Sequence, residues 1–240
     1  MRILDREHQC PSCDDAMDCY GDHALSCMGG PHRNRRHNKI RDTLFRDFKL
    51  TNMITAKEKR GLLEGDRPCE EQDSGHDDGV DEAGGKTDEG NRRPGDIWTQ
   101  DLGGQGQAAL DIAVTNGLGR DCVEEAASQK GSRLRYYENY KRNYKANRDG
   151  KTTDDQCRDR GILFVPLIIE AHGGGFGHAL QQVIKVIAED AAGRWNKNPE
   201  AVARRTAQRL SFLTHTENAQ AVLDRLNAEL VTDYETPVVF

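Results

Sequence analysis

Apolar and polar positions alternate along the 240-residue chain with two different periods. Apolar residues recur every three or four positions in residues 34–49, 176–188 and 200–230, which predicts amphipathic helices there, the last as one helix or two. A long helix is also predicted from about residue 123 to 147. Between these helices, shorter stretches alternate with a period of two or are apolar throughout, which is typical of strands.

Four strands are predicted from these shorter stretches. One lies in residues 51–59, and "RRPGDIWTQDLGGQGQAALDIAVT" at 92–115 predicts two strands joined by a turn. Residues 161–171 are apolar on both faces, as in a strand buried between helices, and Pro166 indicates a bulge or a sheet edge there. The order of elements predicts an α/β fold with a small central mixed β-sheet flanked by helices.

The composition indicates how the chain is divided. It is 35% hydrophobic and 31% charged, which predicts a modest core and a very polar surface. Residues 64–90 contain eleven acidic and two basic residues and almost no large apolar side chain, so residues 64–92 are predicted to be a disordered acidic insertion. The predicted division is a zinc-knuckle module at 1–32, an α/β domain at 33–196 and a C-terminal helical extension at 197–240.

Neither a membrane span nor a secretory signal is predicted. The longest apolar run, ILFVPLII, is too short to cross a bilayer, so no membrane partner is expected. The N-terminal sequence MRILDREHQ lacks the apolar stretch of a signal peptide. The protein is therefore expected to be intracellular.

The formal net charge of −6 conceals two basic stretches. Residues 31–60 contain ten Lys or Arg and three acidic residues, and residues 129–148 contain seven and one. Clustered positive charge favours nucleic acid as a partner, because contacts with phosphates release counterions. A solvated helix face would explain each stretch equally well. The candidate nucleic-acid-binding residues are Arg33, Arg35, Arg36, His37, Lys130 and Lys145.

Four of the seven cysteines lie within the eighteen residues CPSCDDAMDCYGDHALSC. Cys10-x2-Cys13 and His23-x3-Cys27 form two closely spaced pairs, which can supply the four ligands of a tetrahedral zinc ion. Four protein ligands leave no open position for water, so this zinc would be structural. Cys19 could replace one of the four ligands or be a bystander, and a cluster of free thiols is the simpler alternative.

Asp96 and Asp111 lie on neighbouring predicted strands, at positions where the apolar pattern alone does not predict carboxylates. Two such carboxylates can share Mg²⁺ or Mn²⁺, which bind oxygen ligands and activate water for phosphodiester cleavage. A nearby lysine would stabilise the charge that develops in the transition state. The helix that follows offers Lys141 or, as the alternative, Lys130, although a solvated basic face also explains both lysines.

Two further patterns favour structural roles. The glycines of HGGGFG at 172–177 are expected to make a tight turn with close packing, because their spacing does not fit a phosphate-binding G-x-G-x-x-G. Trp98 and Trp195 are expected in the core rather than as stacking platforms for nucleic-acid bases.

Taken in order, these motifs resemble a family of mobile-element nucleases. The chain resembles the restriction-like, PD-(D/E)xK-type endonuclease of site-specific non-LTR retrotransposons. The resemblance lies in the order of five motifs: a Cys/His knot, RHN on a helix, RPGD on a strand, a second aspartate on the next strand and a Lys/Tyr helix. In that family the nuclease follows a reverse transcriptase. The resemblance extends from about Cys10 to Phe176. Such nucleases usually place a lysine two residues after the second acid, where this chain has Ala113, and often a proline directly before the first aspartate, where it has Gly95.

The resemblance implies a Mg²⁺- or Mn²⁺-dependent endonuclease that cuts or nicks target DNA, with a structural zinc and a nuclear location. By matching motifs it implies Glu58, Asp96, Asp111 and Lys141 as catalytic residues, with the two aspartates as metal ligands. The resemblance also implies two further partners, the RNA of the mobile element and its reverse transcriptase. Two other functions stay open: a nucleic-acid-binding module of the same fold that has lost catalysis, and a zinc-stabilised interaction domain.

Overall fold

A computed structural model describes residues 7–13, 15–63, 93–117, 123–145, 150–172 and 175–234, with side chains in the last helix described to residue 226. The insertion predicted at 64–92 lies outside the described residues. No helix in these ranges combines the length and the apolar character needed to cross a membrane. The strands are β1 (His8–Gln9), β2 (Ala16–Met17), β3 (Thr55–Lys57), β4 (Ile97–Thr99), β5 (Ala108–Thr115) and β6 (Leu163–Glu170). The helices are α1 (Asp22–Ser26), α2 (His32–Phe48), α3 (Val123–Ser128), α4 (Ser132–Asn143), α5 (Thr153–Asp159), α6 (His178–Trp195) and α7 (Pro199–Tyr234).

The main sheet has the strand order β3-β4-β5-β6. The β3–β4 and β4–β5 pairs are antiparallel, while β5 and β6 are parallel and are joined by a crossover that contains α3, α4 and α5. The predicted mixed sheet flanked by helices is thereby confirmed. Pro166 lies on β6 at an edge of the sheet, one of the two positions predicted for it, where its missing N–H breaks no ladder bond.

One face of the sheet carries the main core. Alternate residues of β5 and β6, such as Leu110 and Leu167, point to this face and are fully buried. They pack with Ile40, Leu44 and Phe48 of α2, which recur every four residues, and with apolar side chains of α6 and α7. This packing fixes α2 on the sheet, so the basic residues of α2 lie beside the ends of β4 and β5.

The opposite face carries a smaller core and is covered by α4 and α5. Ala109 of β5 and Phe164 of β6 pack there with Cys157 of α5. Asp111 shares this face with Ala109, because residues two apart on a strand point the same way. The second face therefore brings α4 over Asp111.

The long helix predicted at 123–147 is wrong, because it is broken at Gly131. This glycine adopts the left-handed conformation, with φ of 73°, directly before α4. Apolar periodicity also did not predict α5, which begins at a capping box. The Thr152 hydroxyl accepts from the amide of Asp155, and the Asp155 carboxylate accepts from the amide of Thr152.

The C-terminal residues form one helix, α7, whose buried face is largely polar. The apolar stripe predicted there is confirmed in part: Val222 is buried and Leu226 packs beside it, whereas Ala219 and Leu223 are exposed. Polar side chains, which the apolar pattern did not predict, make up most of the rest of the buried face. The polar residues buried on this face are Thr206, Thr214, Glu217, Asn218 and Arg225.

Asn218 is the central contact between α7 and the rest of the fold. Its Oδ1 accepts from Nη1 of Arg36 at 2.5 Å, and its Nδ2 donates to the carbonyl of Ala171 at 2.8 Å. Arg36 also donates to the carbonyl of Leu25 at 2.9 Å. One buried amide group therefore joins α7 to α2 and to the end of β6.

The two tryptophans differ in their environments. Trp98 is 8% exposed, as expected for a core residue, and the ammonium group of Lys59 lies over its ring. The core position expected for Trp195 is wrong, because this side chain is 52% exposed and donates its indole N–H to the carbonyl of Leu50.

Replacing Asn218 by alanine should lower the free energy of unfolding by roughly 2–4 kcal/mol, because it leaves Nη1 of the buried guanidinium of Arg36 without its acceptor. Urea denaturation followed by circular dichroism measures this change. His215→Ala, at an exposed position of the same helix, is the matched control and should change the value by less than about 0.5 kcal/mol. Equal values for the two variants would show that this contact does not hold α7 on α2.

Candidate functional site

The four residues predicted as zinc ligands converge on one point. The ligand atoms of Cys10, Cys13, His23 and Cys27 lie within 4.8 Å of one another. The sulfur atoms of Cys10 and Cys27 are 3.8 Å apart, close to the roughly 3.8 Å that a tetrahedral site with Zn–S bonds of about 2.3 Å requires. Cys19 packs beside this cluster without belonging to it. The four residues could therefore bind a metal ion such as zinc.

The electrostatics of the cluster favour a bound cation. Burial raises the pKa of Cys10, but hydrogen bonds from the Ser12 amide and from Arg225 outweigh burial and lower it to about 6. Burial and the neighbouring sulfur of Cys27 raise the pKa of Cys13 to about 12. The thiolate of Cys10 forms readily, whereas that of Cys13 needs the positive charge that metal coordination supplies.

Arg225 of α7 reaches this cluster from a distant part of the sequence. Its side chain is 2% exposed, and its Nη2 donates to the carbonyl of Gly29 at 3.1 Å. Burial lowers the pKa of Arg225, but hydrogen bonds with Cys27 and Cys10 outweigh burial and raise it above its usual value. Three thiolates, a neutral imidazole and Zn²⁺ carry one net negative charge, which this guanidinium would balance.

Asp96 lies at the start of β4, where three elements meet. Its amide donates to the carbonyl of Leu110 at 2.8 Å, and its Oδ2 accepts from the amide of Ile112 at 2.7 Å. Nε2 of His37, on α2, is 3.1 Å from the same Oδ2. Gly95 permits this close approach, since a Cβ there would lie 2.7 Å from the carbonyl oxygen of Leu110. The glycine of RPGD is therefore required by the packing of β4 on β5.

Asp111 lies opposite Asp96, because Ile97 of β4 pairs with Leu110 of β5 and the next pair in the same register is Asp96 with Asp111. Nζ of Lys141, on α4, lies 3.1 Å from its Oδ2. The side chains of Asp111 and Lys141 are 17% and 31% exposed. The lysine beside the second acid thus comes from a separate helix, while the strand position two residues after that acid is Ala113.

The two aspartates differ in their pKa values. Burial raises the pKa of Asp96, but the hydrogen bond and charge of His37 outweigh burial and hold it below its usual range. Burial also raises the pKa of Asp111, and there the charge of Asp96 adds to the increase while Lys141 opposes it. Burial lowers the pKa of His37, but the hydrogen bond to Asp96 outweighs burial and raises it. Asp111 is therefore the carboxylate that an additional cation would stabilise most.

One turn before Lys141, α4 is anchored to the start of α6. The carboxylate of Glu138 accepts from the amide of Ala179 at 3.1 Å, at the positive end of the α6 dipole. Gly177 makes room for it, because a Cβ there would lie 2.2 Å from Oε1 of Glu138. This glycine serves close packing, as expected for HGGGFG, while the glycines at 173 and 174 lie outside the described residues. The carboxylate of Glu138 thus occupies the amide of Ala179, which a phosphate could otherwise bind.

Glu58, the third carboxylate implied for the site, is bound by arginines. It follows β3 with φ of 49°, and its amide donates to the carbonyl of Asp96 at 2.9 Å. Its Oε2 is 2.7 Å from Nη1 of Arg93, and its Oε1 is bonded to Arg41. Within the described residues, Glu58 does not form a three-ligand cluster with Asp96 and Asp111. Glu58 holds the two arginines next to the aspartates.

The six residues predicted to bind nucleic acid are spread over different environments. His37 lines an open groove that also contains Asp96, and Arg33 lies exposed on the wall of this groove. Lys130 and Lys145 are exposed but are not part of the groove wall. Binding of nucleic acid by these residues stays a prediction.

Arg35 and Arg36 point towards α7. Nε of Arg35 is 2.9 Å from Oε2 of the buried Glu217, which also pairs with Lys39. Arg36 is 5% exposed, and burial together with the charge of Arg33 lowers its pKa to about 10. Both arginines line the groove but have acidic or amide partners within the protein.

The groove has a volume of about 1590 Å³. This exceeds the roughly 300–1,000 Å³ of pockets for drug-sized ligands, so its size suits a polymer. Sequence reasoning missed most of its wall, although the alternating basic and aromatic residues of RLRYYENYKR were a usable signal. The wall residues that were missed include Arg60, Arg93, Arg133, Tyr136 and Tyr140.

Replacing Cys27 by serine should weaken zinc affinity by more than about 100-fold, since loss of an outer partner of a ligand alone costs roughly 10–100-fold. Competition with a chromophoric chelator, with zinc content measured by mass spectrometry, gives the affinity. Cys19→Ser is the matched control and should keep one zinc ion per chain. Loss of zinc in the Cys19 variant, with zinc kept in the Cys27 variant, would reassign the fourth ligand.

Comparisons with protein-family models, with curated protein sequences and with solved structures found no match to this chain. The candidate site is therefore defined by its own chemistry. It consists of two neighbouring carboxylates, a lysine from a separate helix and an arginine-lined groove, next to a Cys/His cluster that could bind zinc.

Proposed function

We propose that this protein is a metal-dependent DNA endonuclease that hydrolyses a phosphodiester bond in the groove beside β5. One observation supports this function above all others: Lys141 lies 3.1 Å from Asp111, opposite Asp96, in a groove with arginines along its wall. Paired carboxylates with a lysine suit metal-assisted phosphoryl chemistry, and guanidinium groups suit binding of phosphates.

Asp96 and Asp111 would hold Mg²⁺ or Mn²⁺, because carboxylate oxygens are the ligands that these ions prefer. The donor set fits, since burial and the charge of Asp96 raise the pKa of Asp111 despite Lys141, and a bound cation would oppose both effects. When bound, the ion supplies an activated water and neutralises charge on the phosphate. Lys141 directs its ammonium group to the phosphate oxygens, where negative charge develops in the transition state. His37 fixes the orientation of the Asp96 carboxylate.

The groove wall would position the DNA around the scissile phosphate. Arg33 and Arg60 are exposed on the wall, and Arg93 is held beside the aspartates by Glu58. Contacts from arginine to phosphate fix the register of the backbone but carry no sequence information. DNA binding should therefore weaken steeply with salt, as release of counterions requires.

A second function, a DNA-binding module of the same fold without catalysis, is favoured by two observations. Ala113 occupies the strand position where related nucleases have a lysine. The carboxylates of Asp96 and Asp111 are each paired with a basic side chain of the protein itself, His37 and Lys141. Such pairing stabilises a fold whether or not a metal ion binds.

We further propose that the chain has the restriction-like fold and belongs to the nuclease family of non-LTR retrotransposons. Support comes from the mixed sheet flanked by helices, the order of the motifs, and the Cys/His cluster ahead of the α/β region. The same reasoning makes element RNA and reverse transcriptase proposed partners and the nucleus the proposed location.

Asp111→Ala should reduce nicking of supercoiled plasmid in Mg²⁺ by at least about 100-fold, because it removes a carboxylate that the metal needs. Its affinity for DNA should change by less than about threefold, since the groove arginines remain. The rate is measured from conversion of supercoiled to open-circular DNA, and affinity by fluorescence anisotropy. Glu189→Ala, at a position 57% exposed on α6, is the matched control and should nick at the wild-type rate.

The same assay separates the alternative functions. Equal nicking by wild type and Asp111→Ala would rule out this site as the source of cleavage. A folded, zinc-loaded wild type that binds DNA with a steep salt dependence but does not nick it would establish the binding module. Weak binding that is insensitive to salt would indicate a zinc-stabilised interaction domain.

Glu138→Ala should slow cleavage about 10-fold by loosening α4 and displacing Lys141, because small misplacements of catalytic groups are costly. Lys141→Ala should slow cleavage about 100-fold. In the double variant the Glu138 effect should disappear, since no lysine remains to be positioned. Glu138→Gln keeps an acceptor for the Ala179 amide and should restore most of the rate. Losses that multiply in the double variant would contradict this positioning role.

A further inference from the structure

A group of aromatic rings lies on the groove wall next to Lys141. Tyr136, Tyr137 and Tyr140 all belong to α4 and line the groove that contains Asp96 and Asp111. Tyr136 is 53% exposed and Tyr140 is 37% exposed. Large aromatic side chains are usually buried, so an exposed pair on a charged wall requires an explanation.

The rings of Tyr136 and Tyr140 face each other like the two sides of a slot. Their centroids are 6.4 Å apart, and their planes differ by 12°. Residues four apart on a helix project side by side, which accounts for the parallel arrangement. A third ring between two others needs roughly 7 Å, twice the optimal separation of carbon atoms. The centroid separation is the upper limit of the gap between the two planes, so one of these exposed side chains must rotate outward to admit a planar group.

The surroundings of the slot favour a planar group attached to phosphate. Tyr137 stands edge-on to both rings, with interplanar angles of 73° and 61°, and so closes one side. The guanidinium of Arg133 lies 4.8 Å from the Tyr136 centroid and 4.7 Å from that of Tyr137, which adds positive charge at the rim. Lys141 follows Tyr140 directly and points to Asp111.

We propose that Tyr136 and Tyr140 hold an unpaired base of the DNA strand whose phosphate lies at Asp111. This inference rests on the proposed function and specifies its substrate class as DNA with an unpaired nucleotide beside the cleavage position. In an intact duplex the faces of the bases are hidden in the stack and only their edges are accessible. Stacking on aromatic side chains requires an exposed face, so it selects single-stranded, bulged or melted DNA.

The contact between the two tyrosines in the protein alone does not prevent this binding. Stacking of a base on an aromatic side chain contributes about 1–3 kcal/mol, whereas a pair of aromatic side chains gains about 0.5–1.5 kcal/mol beyond its buried area. An inserted base also gains two ring contacts in exchange for one. Selectivity would not depend on base identity, because every base has a π face.

The test uses the full chain carrying Asp111→Ala, so that DNA is bound but not cleaved. Two hairpin duplexes of equal length are compared, one with a single 2-aminopurine in a bulge and one with the same base fully paired. We expect quenching of 2-aminopurine fluorescence in the bulged DNA on binding, and tighter binding than to the paired DNA. Adding Tyr140→Leu should weaken binding of the bulged DNA by roughly 5- to 150-fold and leave binding of the paired DNA unchanged.

Tyr140→Phe keeps the ring and should keep both the quenching and the affinity. Tyr20→Leu, at a residue 53% exposed on the N-terminal module, is the matched control and should affect neither DNA. Equal affinity for the two duplexes, or equal losses for both in Tyr140→Leu, would overturn the inference. This measurement does not depend on cleavage. A wild type that fails to nick plasmid but binds bulged DNA more tightly than paired DNA would therefore contradict the nuclease function and still support binding of a base between the two tyrosines.

Discussion

A pair of partly buried carboxylates is the constraint on which the rest of this structure depends. Asp96 is 7% exposed, and a carboxylate removed from water costs several kcal/mol unless it is paired and hydrogen-bonded. The amide of Ile112, the imidazole of His37 and the ammonium group of Lys141 offset this cost. These groups come from β5, α2 and α4, so three elements must take defined positions for the two aspartates to be tolerated.

The helix α2 shows how one run of basic residues can serve two purposes. Consecutive helical positions are rotated by about 100°, so the basic residues of "HRNRRHNK" cannot all face the same partner. Arg35 and Arg36 turn to Glu217 and Asn218 of α7, while Arg33 and His37 turn to the groove. Local charge density therefore overstates the positive surface of this helix, because α7 neutralises part of it.

Much of the fold and of the candidate site could be predicted because the signals were local. The apolar period of α2, the alternation in β5 and the spacing of the Cys/His pairs are each complete within about twenty residues. The polar part of the buried face of α7 could not be predicted, since Asn218 is buried through a partner 182 residues away. The broken helix after β5 depended on a backbone conformation of Gly131 that apolar periodicity does not encode. The Tyr136–Tyr140 slot required knowledge of which side of α4 faces the sheet.

The contact between Arg225 and the N-terminal cluster also bears on the order in which the protein is completed during translation. Gly29 and Arg225 are separated by 196 residues, and ribosomes add roughly 5–20 residues per second. The thiols of the cluster are thus synthesised some tens of seconds before the guanidinium that covers them leaves the ribosome. During that interval the thiols lack the positive charge of this guanidinium, and a metal ion captured by the cluster would be the charge that takes its place.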